Sequence, residues 1–443
     1  MSQDTTTTTA AMTPASVVRA YLAISGLFTL AASVIWGVNT LFLLDAGLDI
    51  FEVFIANAAF TAGMVLFEIP TGVVADTGGR RRSFLLSAIT LLVATLGYVA
   101  ISAVGGGLVA FVVASIALGL GFCFYSGAVE AWLVDALKAT GFQGQLDRVF
   151  ARGEMVSGAA MLVGSVGGGV LGNLDLAWPF LVRAALLGAV FLVGLGWMHD
   201  VGFTPRTTSL AAMPTEMGRV LRASVEFGWR ARPVRLLMLV SLVQGGFMMW
   251  GFYAWPPYFL ELLGRDAVWV AGVVAALIAL ATIAGNALVE FFTRLWAAVV
   301  SVAATVGVGL AGSFWPAVVL LLVSIGAEGV ATPVQQAYLH QVVPSSERAT
   351  VVSSVSLVAS AGGIGGQLGL GYISRAQSVA AGYVTGGLAM LLAVPPLLLL
   401  RRMREGADVI VGRKAGKKGP CAAQGLPQVA SVDTTARQPT PVP

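Results

Sequence analysis

The chain has 443 residues, a formal net charge of +4 and a mean hydropathy of +0.85, with 57% apolar and only 11% charged residues. Soluble domains carry roughly 25% charged residues, so this chain lacks the polar surface to cover a water-soluble globule of its size, and its apolar content excludes disorder over most of its length. Long unbroken apolar runs, in place of short alternating strands, exclude a membrane β-barrel. An all-α membrane protein remains, because hydrocarbon requires each spanning segment to close its own backbone hydrogen bonds.

Residues 1–16 are a threonine-rich polar stretch without a basic n-region or a cleavage-like site, and read as a disordered cytoplasmic tail with no cleaved signal peptide. Apolar runs long enough to cross about 30 Å of hydrocarbon predict helices over 17–44, 51–75, 83–104, 108–137, 149–171 and 177–198, which make an N-terminal six-helix half, 17–199. A polar cytoplasmic linker, 200–233, follows, and 216–229 within it has the pattern of an amphipathic surface helix. Helices predicted over 234–262, 267–289, 296–312, 315–340, 349–373 and 379–400 form a C-terminal half, 234–400. The last stretch, 401–443, is a basic tail rich in Pro, Gly and Gln and is expected to be disordered.

With the N-terminus inside, all but three of the 26 Lys and Arg residues fall on or beside the inner face; the exceptions are Arg183, Arg265 and Arg375. That bias predicts twelve transmembrane helices with both termini cytoplasmic. It also makes the positive charge a topology signal, so no nucleic-acid partner is expected. Cys123 and Cys421 offer neither a disulfide pair nor metal spacing, and no cofactor or metal is expected.

The two halves echo each other. Asp147-Arg148 and Glu347-Arg348 stand 200 residues apart, each opening a glycine-rich helix. Two related six-helix halves around a central linker predict a carrier whose halves rock about a midplane site.

The sharpest local pattern lies between the second and third predicted helices, in the stretch from Gly72 through Asp76, Thr77, Gly78 and Gly79 to Arg80, Arg81 and Arg82. Its glycines permit a tight turn and close helix approach, and Asp76 is placed to accept from helix-end amides or pair with an arginine. Read alone, it is a charged turn. The stretch resembles the loop motif of the major facilitator superfamily, G-x-x-x-D-R/K-x-G-R/K-R/K, with Gly72, Asp76, Gly79, Arg80 and Arg81 matching and Thr77 standing where the family has a basic residue. Further resemblances are Glu68-Ile69-Pro70-Thr71-Gly72, the stretch Ser126 to Trp132, and Glu347-Arg348-Ala349-Thr350. The resemblance covers about residues 17–400 and implies the twelve-helix fold, with the loop acting as a gate. Gly164-Ser165-Val166-Gly167-Gly168-Gly169 is similar to the G-P-x-x-G-G helix-five motif of drug–proton antiporters, with Ser165 in place of proline. Close packing through Gly164, Gly168 and Gly169 is an equal reading.

Ionisable groups inside membrane helices are costly and are functional candidates by default. Glu328 lies thirteen residues after Trp315, about 20 Å along a helix at 1.5 Å per residue, and shares a face with Thr332, Gln335 and Gln336. It is the first candidate for proton coupling or substrate contact. Glu130 is the second, as a gating ion pair among Asp135, Arg152 and Glu154 or as a proton site. Arg183 is expected to snorkel outward from the sixth helix. Cavity candidates are Trp36 and Asn39 on the first helix, Gln244 and Trp255 with Met248 and Gly251 on the seventh, and Thr332 and Gln335 on the tenth. Aromatic and methionine faces with few polar anchors suit bulky apolar ligands.

No phosphate-cradling loop, zinc-protease motif or nucleophile elbow is present, so neither an ATP-driven pump nor a membrane enzyme is expected. The reading is a multi-pass plasma-membrane carrier, acting as a monomer on a small molecule and coupled to protons. Export of amphipathic drugs or natural products ranks ahead of uptake of a small metabolite or a transport-inactive membrane sensor.

Overall fold

The computed structural model describes residues 12–205, 218, 232–264, 267–287, 294–342 and 348–403; side chains are described over the same residues except 286–287, 294–295, 330–342, 348–350 and 401. The expected tails, the amphipathic helix at 216–229 and most of the linker therefore lie outside the described residues.

Every described element is helical. The first half comprises α1 (Pro14–Ser33), α2 (Asn39–Asp45), α3 (Ile50–Gly78), α4 (Arg80–Ala103), α5 (Leu108–Ser126), α6 (Ala128–Ala139), α7 (Leu146–Gly172) and α8 (Trp178–Trp197). The second comprises α9 (Arg232–Leu263), α10 (Val268–Ala287), α11 (Arg294–Leu310), α12 (Phe314–Val342), α13 (Arg348–Ala376), α14 (Val379–Met390) and α15 (Val394–Arg402). Among the described residues, ten helical stretches are long and apolar enough to cross a membrane, and Trp296–Leu310 and Phe314–Gly329 are two further, shorter apolar helices.

Local chemistry sets the helix starts. Thr13 caps α1 through a reciprocal box with Ser16, and Pro14 at the first helical position gives up only an amide that had no partner. Asp49 caps α3 by accepting from Phe51 N and Glu52 N, while Glu52 reaches back to the Asp49 amide. Three predicted spans prove to be broken. The first stops at Ser33, passes through turns at 34–38 and resumes as α2; the fourth divides at Gly127; and the last is interrupted by a 3₁₀ turn, Leu391–Ala393. Pro395 and Pro396 account for the last break, because neither offers an amide to the carbonyls four residues back.

Within the first half, α1 packs on α7 and α3 on α5; within the second, α9 packs on α13 and α11 on α12. The glycine-rich helices do this at backbone distance. A Cβ on Gly168 would sit 1.7 Å from Val34 O, and one on Gly362 or Gly366 would sit 2.0 Å from Leu242 O or Gly246 O. The glycine stripes noted in the sequence are thus matching helix seams, α7 on α1 and α13 on α9.

The halves meet through α7 with α10, α3 with α13 and α2 with α9. The contacts cluster at the end where α2, α7, α9 and α13 finish and α3 and α10 begin. Gly169 backs onto Gly272, and Phe54, fully buried, enters the second half's apolar cluster beside Trp250 at 5.9 Å. Phe51 meets Tyr372 edge-on at 6.0 Å, and Arg375 reaches Asp49 at 3.4 Å.

Candidate functional site

Between the halves lies a cavity of about 310 Å³. Trp36, carried inward by the break between α1 and α2, and Met161 of α7 are its first-half walls; Gln244, Met248, Gly251 and Trp255 of α9 face them with residues of α10 and α12. Four of these α9 positions follow helical spacing, so one stripe of a single helix supplies much of the wall. The surface is aromatic, methionine-rich and aliphatic, and Glu328 supplies its carboxylate.

Glu328 is held. Ser301 Oγ of α11 donates to its Oε1 at 2.9 Å, and Gln244 Nε2 lies 3.4 Å from Oε2. Behind it, Ser324 Oγ stands 3.2 Å from Ser301 Oγ and 2.8 Å from Thr305 Oγ1. The carboxylate on this apolar wall thus accepts from a hydroxyl of the adjacent helix, which is itself linked to a second and a third hydroxyl. The stripe expected along α12 is reached only in part, because the Thr332 and Gln335 side chains lie outside the described residues.

A second lobe of about 330 Å³ shares Trp36, Met248 and Phe252 with the first. Its polar lining is Asn39, Asn57, Tyr98, Tyr253 and Arg183. Asn39 Nδ2 donates to Asn57 Oδ1 at 3.2 Å, Asn57 Nδ2 to Val53 O at 3.0 Å, and Tyr98 shares a 2.5 Å hydrogen bond with Ser115. Arg183 does not snorkel. Its residue is 3% exposed and its side chain lines the lobe, because α8 turns this face toward α1 and α4.

At the opposite end of the bundle, Arg80 at the start of α4 pairs with Asp76 near the end of α3 at 2.7 Å. Gly79 joins α3 to α4 at φ 104°, a region an L side chain rarely adopts. Glycine has no side chain with which to cap α4, and Asp200 does so from beyond α8: its Oδ1 accepts from Arg81 N at 2.8 Å. The Arg81 guanidinium donates to Leu195 O, Trp132 Nε1 donates to His199 O at 2.7 Å, and Arg80 lies over the Phe203 ring at 5.9 Å. Thr77, in the position of the missing basic residue, returns its hydroxyl to Val73 O at 2.8 Å.

The model of the Major Facilitator Superfamily matches residues 21–366. The chain belongs to the major facilitator superfamily. Its fold is that of a multi-pass membrane transporter, and solved members superpose over most of its length. A variant of the nucleoside transporter NupG matches with a TM-score of 0.69 at 14% identity, covering 88% of this chain and 100% of that one. A POT family transporter in complex with 5-aminolevulinic acid matches at 0.68 and 12% identity, covering 88% and 96%. A D-xylose-proton symporter matches at 0.61 and 14% identity, covering 88% and 98%. No curated protein matches the chain in sequence.

Within this superfamily fold, Trp36, Gln244, Trp255 and Glu328 come together at one cavity, and Asn39 joins Trp36 at the other. Glu130 lies apart from both, exposed on α6, with no ion pair to Arg152 among the described residues. Gly164 and Gly168 serve the seam with α1, whereas Gly169 serves the contact with the other half. Gly72 has open space beside its Cα. Sequence reasoning missed Ser301, Thr305 and Ser324, although Ser301 and Thr305, like Ser324 and Glu328, stand one helical turn apart in otherwise apolar runs. It also missed Asp200, whose partner lies more than a hundred residues away.

Proposed function

We propose that this chain is a secondary active carrier that exports amphipathic small molecules in exchange for protons. It would act as a monomer in the plasma membrane, with twelve crossings, halves at 17–199 and 234–400, and both termini cytoplasmic. One observation carries the reading: an aromatic and methionine-lined cavity between the halves with Glu328 at its wall, held by Ser301 and Gln244. Apolar walls accept bulky ligands without demanding particular polar groups. A carboxylate beside them is a group through which proton and substrate occupancy can be linked, as coupled transport requires. The loop motif and the helix-five glycines support the efflux resemblance, and the basic-residue bias supports the orientation. In that orientation the end where the halves meet is external, and the cavity faces the cytoplasm.

The test is a toxic-compound resistance screen in a pump-deficient host, followed by transport of each hit in everted vesicles under an imposed pH gradient. Wild-type vesicles are expected to accumulate the hit when their interior is acid. Glu328→Gln, a fixed mimic of the protonated state, should reduce gradient-driven accumulation at least tenfold while substrate counterflow survives. Full gradient-dependent transport by a normally expressed Glu328→Gln protein removes Glu328 from the coupling role, which then passes to Glu130. Accumulation only in right-side-out vesicles would make the chain an uptake carrier.

A further inference from the structure

Arg183 is the sixth residue of α8, about 8 Å along the helix from its start at 1.5 Å per residue. It is a cation that cannot shed its proton, because the guanidinium stays charged at any pH a protein experiences. It is also 3% exposed, its Nε has no hydrogen-bond partner, and no carboxylate pairs with it among the described residues. An uncompensated charge within a membrane span is expensive. Its neighbours have largely spent their groups on one another, Tyr98 on Ser115 and Asn39 on Asn57. The donors of Arg183 therefore face a lobe of about 330 Å³ that contains no fixed anion. That lobe adjoins the apolar one, Trp36, Met248 and Phe252 lining both. The pair of lobes has the shape of an amphipathic molecule, a charged head against Arg183 and an apolar body along the aromatic and methionine wall.

We propose that Arg183 is the head-group site of this carrier and that its substrates are amphipathic organic anions bearing a carboxylate or a phosphate. This deepens the export reading and rests on it. Arginine suits both head groups, because its planar fork meets two oxygens at once. The Asn39–Asn57 pair and Tyr253 border the head group, and binding replaces a stranded cation by a neutral ion pair. Two consequences separate this role from a structural one. The empty protein carries the cost of the bare charge, so Arg183→Gln is expected to unfold at a higher temperature than wild type without ligand. Wild type is expected to be stabilised by anions and not by their neutral counterparts.

The experiment uses the full chain in lipid nanodiscs and reads its thermal midpoint with matched probes: naphthalene-2-carboxylate against its carboxamide, and 2-naphthyl phosphate against 2-naphthol. A ligand that binds only the folded state raises the midpoint according to its affinity. Wild type should bind at least one anion about tenfold or more tightly than its neutral partner. Arg183→Gln should bring that ratio close to one, and Arg183→Lys, which keeps the charge and loses the fork, should fall between. The proposal is overturned if no anionic probe stabilises wild type, if neutral probes do so equally, or if Arg183→Gln keeps the preference. A lower ligand-free midpoint in Arg183→Gln, or its failure to fold, also overturns it, since the cation would then be compensated within the fold. Failure here with intact pH-driven transport leaves the export reading standing. Anion-selective binding without such transport does the reverse.

Discussion

Ser301 shows how much a candidate coupling group depends on its neighbours. Its hydroxyl reaches Glu328 at 2.9 Å from the adjacent helix, where a hydrogen bond to a charged group is worth about 1.5–3 kcal/mol. Ser301→Ala is therefore expected to lower unfolding stability by about 1–3 kcal/mol. In a Glu328→Gln background the same substitution should cost less than half as much, because the charged acceptor is gone. A double-mutant cycle read by denaturant titration in detergent measures the difference, and equal costs in both backgrounds would mean that the two side chains do not act together. Asp200 makes the parallel case outside the cavity. It caps a helix whose own N-cap residue is glycine, so Asp200→Ala should cost about 0.5–2 kcal/mol, as cap removals do. Asp200→Asn keeps an acceptor oxygen and should retain most of that stability in the same titration. A larger loss in Asp200→Asn than in Asp200→Ala would exclude the capping role.

At the scale of an element, α9 contains Pro256 and Pro257 and yet runs unbroken to Leu263. Pro257 has no amide for the Tyr253 carbonyl four residues back, and a bare carbonyl inside a membrane is costly. Thr40 Oγ1, from the buried face of α2, donates to that carbonyl at 2.7 Å. Thr40→Val preserves shape and removes the donor, and is expected to cost about 1–3 kcal/mol, whereas Thr40→Ser should be close to neutral; matched thermal melts of the two variants decide it. The helices themselves were legible because apolar runs are local; the capping boxes of Asp49 with Glu52 and Thr13 with Ser16, local too, came to light only in the structure. The break after Ser33 was not legible, because residues 34–38 hold no proline and the turn is settled by what Trp36 and Thr40 meet in the other half. The same limit applies to the cavity. Gln244 and Trp255 were found by helical spacing on one helix and Glu328 as an acid deep in an apolar run, but a sequence does not show which way α8 turns Arg183, nor that α11 brings Ser301 to Glu328.

For the molecule as a whole, the halves are joined at one end by backbone approach and aromatic edges, with Arg375–Asp49 as a half-exposed ion pair contributing no more than about 1 kcal/mol. A Cβ on Gly169 would stand 2.6 Å from Gly272 Cα, so bulk there must push the halves apart, whereas bulk on Gly168 strikes α1 within its own half. Gly169→Leu is accordingly expected to fold and to favour the state open at this end. Bifunctional maleimide cross-linking between Asp49→Cys and Arg375→Cys, in a background lacking the native cysteines, should fall severalfold in Gly169→Leu; an unchanged yield would show that the contact does not hold the end closed. The Thr40–Tyr253 hydrogen bond has a further consequence, since it too crosses from one half to the other. When the halves part, the Tyr253 carbonyl has no amide in its own helix to return to, and a water molecule must take the place of Thr40. The opening step thus consumes solvent at a fixed atom, which ties the carrier's resting equilibrium to water activity: a crowding polymer too large to enter the cleft draws that water away and holds this end shut.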